Sequence, residues 1–363
     1  MYQKTVAALS DRVAPYVALS NDRRQTLGQL ALGLLSARTT NLSVLAAERV
    51  ASASTASTYR RYQRFFQFVE LGEDWAAPVV AELARLAGPR TLILDRTNWK
   101  VGRREINLLM LAVKTRRGRL GLMWTVLDRA GNSGAKQRTA LLERYIARFG
   151  QESIGLLLGD REFIGTDWLN YLIGKDIPFV IRMREGQRAT TVEGRSGSLG
   201  RLLLGPGGER QATVTLDAMA EKGVPGPAIA VRAVQPKGRK PVIVATNRPS
   251  LRALEAYRKR WAVESFFADA KTRGFNFEDT RLTCPRKLAL LTAILAIAVA
   301  WANATAVRLL GRRSPPRKKH GYLAKSLFRI GLDHLRRQLR IAPLEALDPW
   351  EHLSATKKIP RVV

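Results

Sequence analysis

The chain has 363 residues, 46% of them hydrophobic, with 61 lysines and arginines against 30 aspartates and glutamates and a formal net charge of +31. That length and apolar content can bury a core in about two or three domains, which excludes a disordered basic tail. The charge excess costs the folded state self-repulsion that a polyanion relieves, so nucleic acid is the expected partner, and spread along the whole chain it does not read as one membrane-surface helix.

The opening "MYQKTVAALSDRVAPY" has no long apolar run before a small-residue cleavage site, so a cytoplasmic, nucleoid-associated protein is expected. Residues 22–36 carry leucines at helical spacing, and Thr40 or Asn41 is a candidate N-cap for "LSVLAAERV". The next segment, "STASTYRRYQRFF", mixes Arg60, Arg61 and Arg64 with four aromatics. Three short helices ending on a basic, aromatic one suggest a helix-turn-helix-like DNA reader, against the plainer reading of a helical bundle with a charged face. After "AGPR" the run "TLILD" is a continuous apolar strand ending at Asp95, as expected when both faces are covered. "INLLMLAVKT" and "LGLMWTVLD" make a hairpin, "AKQRTALLERYIARFG" a helix, and "IGLLLGD" a second apolar strand ending at Asp160. A helix over 165–175 and the strand "IPFVIRM" follow, then a glycine-rich, cationic stretch from about 184 to 250 with short β-like runs.

The stretch "YRKRWAVESFFADAK" (257–271) reads as a helix. At about 3.6 residues per turn it would hold Tyr257, Arg260, Glu264 and Lys271 within about 60° of arc. Residues 288–307 carry no charge for 20 residues, enough to span a membrane, but their alanine content favours a buried core helix. "GRRSPPRKKHG" is a basic, proline-broken linker, and a last helical region contains "HLRRQLR".

The single cysteine, Cys284, excludes an internal disulfide framework and suits a reducing compartment. The three histidines, His320, His334 and His352, supply neither a zinc cluster nor a Ser/His/Asp triad, which leaves metal chemistry to carboxylates. If a helical crossover returns the Asp160 strand parallel to the Asp95 strand, both acids reach one sheet edge, and Glu264 is the natural third member. Three crowded carboxylates stay ionised only with cations between them, and hard oxygen ligands suit Mg²⁺ or Mn²⁺. Two such ions, roughly 3.5–4 Å apart, can serve both the attacking and the leaving oxygen of a phosphodiester.

The spacing Tyr257, two residues, Arg260, three residues, Glu264, six residues, Lys271 resembles the Y-R-E-K signature of the IS4 family of bacterial DDE transposases. "LILDRTNWK" and "LLLGDREF" resemble that family's two aspartate motifs, and the resemblance extends over residues 88–305. It implies an α/β, ribonuclease-H-like catalytic core with a β-rich insertion, preceded by an all-α N-terminal DNA-binding domain and followed by a helical C-terminal region. The corresponding boundaries are 1–87, 88–183, 184–250, 251–310 and 311–363. It also implies Asp95, Asp160 and Glu264 as ligands of two Mg²⁺ ions, with Mn²⁺ as a substitute. Tyr257, Arg260 and Lys271 would grip phosphates, and Trp261 would stack on an extruded base. The implied reaction is cut-and-paste transposition in a synaptic homodimer on transposon ends and target DNA, often through a hairpin, with no membrane involved.

Two departures stand out. No Phe, Tyr or Trp lies between Phe179 and Tyr257 to hold a flipped base, which leaves Met183 or Met219 as substitutes or a different hairpin step. Glu162 stands two residues after Asp160, as a motif variant, an ion-pair partner of Arg161 or an accessory ligand. The competing functions are a ribonuclease-H-like nuclease that cuts without joining and a domesticated DNA-binding protein whose acids are structural.

Overall fold

The computed structural model describes residues 2–48, 53–115, 118–127, 131–205, 210–217, 228–238, 240–260, 264–319 and 321–351, the side chains of 264–266 excepted. Five helices come first: α1 (Tyr2–Val13), α2 (Asn21–Ala37), α3 (Leu42–Ala47), α4 (Thr55–Phe68) and α5 (Ala76–Leu83). Asn41, not Thr40, caps α3, its side chain accepting from the Ser43 amide at 3.1 Å. In α4 the buried positions Thr58, Tyr62, Phe65 and Phe66 recur at helical spacing, which turns Arg60, Arg61 and Arg64 outward. Neither α1 nor α5 was anticipated from the sequence.

A hairpin-first sheet follows: β1 (Arg90–Val101), β2 (Arg104–Lys114) and β3 (Arg119–Leu127) are antiparallel, with the β2–β3 hairpin as expected. Helix α6 (Ala135–Phe149) crosses to β4 (Ile154–Gly159), and α7 (Thr166–Gly174) to β5 (Phe179–Met183). Both β1–β4 and β4–β5 are parallel, so the required crossover is present. The stretch after β5 folds as β6 (Arg188–Thr191), β7 (Ser196–Ser198), α8 (Leu199–Leu204), β8 (Gln211–Leu216), β9 (Ala228–Val234) and β10 (Val242–Thr246). These strands extend the same sheet, because β10 pairs antiparallel with β5, and the full order is β3-β2-β1-β4-β5-β10-β9-β8-β6-β7.

Among the described residues four α-helices follow: α9 (Ala253–Arg258), α10 (Glu264–Ala270), α11 (Pro285–Leu310) and α12 (Leu327–Ile341). Alternation along the buried strands sends Leu92, Leu94 and Leu157 to one face and Ile93, Leu156 and Leu158 to the other. The first face packs on the main core, which includes α11. The second is covered by α9, whose Ala253, Ala256 and Tyr257 pack with Ile93, Leu158, Val180 and Val244. Helix α11 is long and apolar enough to cross a membrane, yet 89% of its most apolar window is buried inside the fold, which favours the core-helix reading. Gly331 lets α12 approach it closely, since a Cβ there would fall 1.7 Å from the Ala302 carbonyl.

Two expectations need correction. Asp95 does not end its strand, since β1 continues to Val101 with its second half paired to β2 alone. The polar residues of "RTNWKV" sit where only one neighbour and one packed face remain, so the apolar run stops before the strand does. The stretch from Tyr257 to Lys271 is also not one helix. Lys259 lies in a turn after α9, and Lys271 lies just past α10, so these residues do not share the strip of a single straight helix.

Candidate active site

The parallel register aligns Leu94 of β1 with Gly159 of β4, and the next residue in each chain is an aspartate. Asp95 shares the side of Ile93, and Asp160 continues the alternation of Leu158, so both carboxylates belong to the face that α9 covers. Each carboxylate first satisfies the following backbone amide: Arg96 N donates to Asp95 Oδ1 at 2.9 Å and Arg161 N to Asp160 Oδ1 at 2.7 Å.

Helix α9 brings the other half. The buried Tyr257 ring anchors it to the sheet, and the phenol donates to Asp160 Oδ1 at 3.1 Å. Arg260, only 6% exposed, donates through Nε to that phenol at 3.0 Å. Its two terminal nitrogens each lie 3.5 Å from a carboxylate, one from Asp95 Oδ2 and one from Asp160 Oδ2. One guanidinium therefore bridges the two acids. Burial outweighs the lowering effects of Arg260 and the Arg96 amide and pushes the Asp95 carboxyl up to about 6, with Glu162 and Asp160 adding to the rise. Burial likewise pushes Tyr257 up to about 12, so the phenol remains a donor at neutral pH. For Arg260 burial acts downward, but Tyr257, Asp160 and Asp95 together raise it, and it stays charged.

A second polar layer braces this edge. Arg96 holds Glu162 Oε2 at 3.0 Å and also donates to Asn107 at 3.1 Å and Asn132 at 3.4 Å. Glu162 is thus the ion-pair partner of Arg96 and not of Arg161. Arg138 of α6 is buried, with Nε on the Ser133 hydroxyl at 3.0 Å and its terminal nitrogens on the carbonyls of Glu162 at 2.9 Å, Ile164 at 3.3 Å and Ser133. Its guanidinium lies over the Phe163 ring at 5.2 Å. The loop that carries Asp160 is thus held by Arg138 and by Arg96 through Glu162. Neither Arg96 nor Arg138 stood out in the sequence; Arg138 reads there as an ordinary polar position on an amphipathic helix.

The remaining expected residues divide. Lys271 is not brought to the aspartates: its ammonium pairs with Glu278 at 2.6 Å and sits 5.6 Å from the Trp99 ring centre. Glu264 opens α10 and its side chain lies outside the described residues, as do Trp261 and Met219. Met183 is buried in β5 and offers no surface to a base. Arg60, Arg61 and Arg64 lie on the exposed face of α4.

Two aspartates thus meet where parallel pairing ends, in a chain whose positive charge suits a polyanionic partner. The comparisons make the class definite. A family model described as the transposase DDE domain matches residues 86–301. The chain therefore belongs to the DDE transposase family. A crystal structure of endonuclease V from Bacillus subtilis is similar at 12% identity and a TM-score of 0.26, over 62% of this chain and 92% of that one. No curated protein matches the sequence.

DDE transposases generally use divalent metal ions. Among the described residues no three acidic, histidine or cysteine side chains converge on a metal position. The donor set nonetheless fits a hard cation. Two carboxylates present hard oxygen donors at one edge and share a single positive group between them.

Proposed function

We propose that this transposase is of the IS4 kind and moves an insertion sequence by cut-and-paste, with Asp95, Asp160 and Glu264 holding two Mg²⁺ ions, or Mn²⁺ in their place. The single observation that carries the reading is the guanidinium of Arg260 shared by Asp95 and Asp160 at 3.5 Å each. Oppositely charged bridging of this kind is what a pair of crowded carboxylates needs in the absence of metal. The bound ions would polarise the phosphodiester and stabilise the developing oxygen charges.

The chain's own residues do the positioning. Tyr257 fixes the rotation of Asp160 through its phenol, and Arg260 supplies a permanent positive charge beside the phosphate that would occupy the edge. Arg138 and Arg96 hold the loop and strand that carry the acids. The Arg60, Arg61 and Arg64 face would neutralise DNA phosphates, and Lys271 would reach the displaced strand once released from Glu278. The strand order β3-β2-β1-β4-β5, antiparallel and then parallel, supports a ribonuclease-H-like core at 88–183 completed by 251–310. An N-terminal DNA-binding unit at 1–87, an insertion at 184–250, a C-terminal region at 311–363 and a synaptic homodimer belong to the same proposal.

The test incubates the protein with labelled DNA carrying the ends that flank its gene, with and without Mg²⁺, beside Glu264→Gln. Metal-dependent cleavage lost in the variant, with joined or hairpin products, is expected. Salt-sensitive binding with no cleavage in either metal would instead make the protein a DNA binder, and cleavage retained by the variant would remove Glu264 from the site.

A further inference from the structure

We propose that the C-terminal turn of α4 is a base-stacking subsite for unpaired DNA, with Phe68 as the platform and two cationic clefts beside it; this rests on DNA being the substrate. Phe68 is 62% exposed, although aromatic rings normally supply core burial. Its neighbours do: Phe65, Phe66 and Val69 are all buried. The exposure is built and not a frayed end. Arg286, at the start of α11, donates to the carbonyls of Phe66 at 3.2 Å, Gln67 at 2.8 Å and Val69 at 2.7 Å, and Lys287 donates to the Gln67 side chain at 2.5 Å. The backbone on both sides of Phe68 is thereby locked, and the ring is held outward.

On one side of Phe68 lies a cleft of about 710 Å³ lined by Arg23, Arg60, Arg61 and Arg64, with Asp22 as its one acidic wall residue. On the other lies a cleft of about 420 Å³ lined by Tyr59, Gln63, Arg281 and Lys287. Arg64 and Phe68, one helical turn apart, form the ridge that both clefts share. Among the described residues Arg23, Arg60, Arg61, Arg64 and Arg281 have no acidic partner within ion-pair distance. A fold that leaves five guanidiniums uncompensated around a fixed, exposed ring matches the single-strand pattern, where cations follow the phosphates and an aromatic face takes the base.

The helices that α4 packs on are also tied to the strand-and-helix region that follows. Thr40 donates to the Asn276 carbonyl at 3.1 Å, and Arg38 donates to the carbonyls of Arg273 at 3.1 Å and Gly274 at 3.3 Å, in the loop that follows α10. The same loop carries Phe277 against Trp99 and Glu278 on Lys271. A strand leaving the aspartate edge past Lys271 would meet Arg281, Lys287 and then Phe68.

The experiment measures binding, in EDTA, of a blunt DNA duplex and of the same duplex with an unpaired tail whose adenine analogue fluoresces on unstacking. Phe68→Ala is expected to weaken tailed-DNA binding about 5- to 150-fold and to abolish the fluorescence change, with blunt-duplex binding within about twofold. Phe68→Trp should restore both. Equal binding by wild type and Phe68→Ala, or equal loss on both DNAs, overturns the proposal. So does a change in oligomeric state with DNA affinity intact, which would make Phe68 a protein contact. Metal-dependent cleavage is followed on the same preparations. Tail-specific binding through Phe68 with no cleavage supports the subsite while defeating the transposase mechanism, and cleavage together with tailed-DNA binding that does not depend on Phe68 defeats the subsite alone.

Discussion

The aspartate edge and the outer face of α4 are both dense in charge, but they are built in opposite ways. At the edge the clustered charges are engaged with one another: Arg260 with Asp95, Asp160 and Tyr257, Arg96 with Glu162 and two asparagines, Arg138 with three carbonyls and a hydroxyl. On α4, Arg60, Arg61 and Arg64 are exposed and, among the described residues, without acidic partners. Internally satisfied charge fixes geometry, as a reacting centre requires. Uncompensated charge does nothing for the isolated fold and is satisfied only from outside. Substitutions should therefore act on chemistry and stability at the edge, and on binding alone at α4.

The largest expected effect is chemical. Asp160→Asn should lower metal-dependent cleavage by on the order of 10³-fold or more while DNA affinity stays within about threefold. A gel cleavage assay run beside a filter-binding titration reads both numbers, and loss of binding in step with cleavage would break the comparison. Next comes the support of the edge. Arg138→Ala leaves the buried carbonyl of Ser133 and the partly buried carbonyls of Glu162 and Ile164 without this donor, at a cost of about 3 kcal/mol. Calorimetry should show a fall in Tm of roughly 4 °C, partly recovered by Arg138→Lys.

A third prediction concerns pH. Asp269 on α10 is buried, and burial pushes its carboxyl up to about 7 against the lowering effect of Arg273. An acid whose folded pKa is raised binds its proton more tightly when folded. Its stabilising contribution is therefore complete below its ordinary value of 3.8 and is lost as the pH rises through about 7. Asp269→Asn should thus raise stability at pH above neutrality, by a few kcal/mol at most and visible as a higher Tm, and flatten the decline between acid and neutral pH. An unchanged pH profile of Tm in the variant would show that another group sets it. The smallest effects belong to α4. Arg60→Gln, Arg61→Gln and Arg64→Gln should each reduce the salt slope of DNA binding by about one, with stability within about 0.5 kcal/mol of wild type.

Part of this was legible in the sequence because burial writes itself into composition. "LILD" and "LLLGD" announce strands covered on both faces that end their apolar runs on an acid, and the helix between them fixes the parallel return. The second half of β1 was hidden, because a strand with one partner and one packed face carries no continuous apolar run. The break after Arg258 was hidden because the helical spacing of the Y-R-E-K residues continues through it. What was least visible is polar and non-local: Arg138 meets its carbonyls across 24 and 26 positions, and Arg286 locks the end of α4 from more than 200 residues away. Phe68 sits among Phe65, Phe66 and Val69, so composition alone does not single out the one ring that faces outward.

The central claim is that the carboxylates bridged by Arg260 are a metal site. Its most direct measurement is Mn²⁺ titration of the DNA-free protein by electron paramagnetic resonance, comparing wild type with Asp95→Asn and Asp160→Asn. The account predicts saturable Mn²⁺ binding in the wild type, weakened at least about tenfold in each variant. Equal Mn²⁺ binding by all three proteins would contradict it and return Asp95 and Asp160 to a structural role as partners of Arg260.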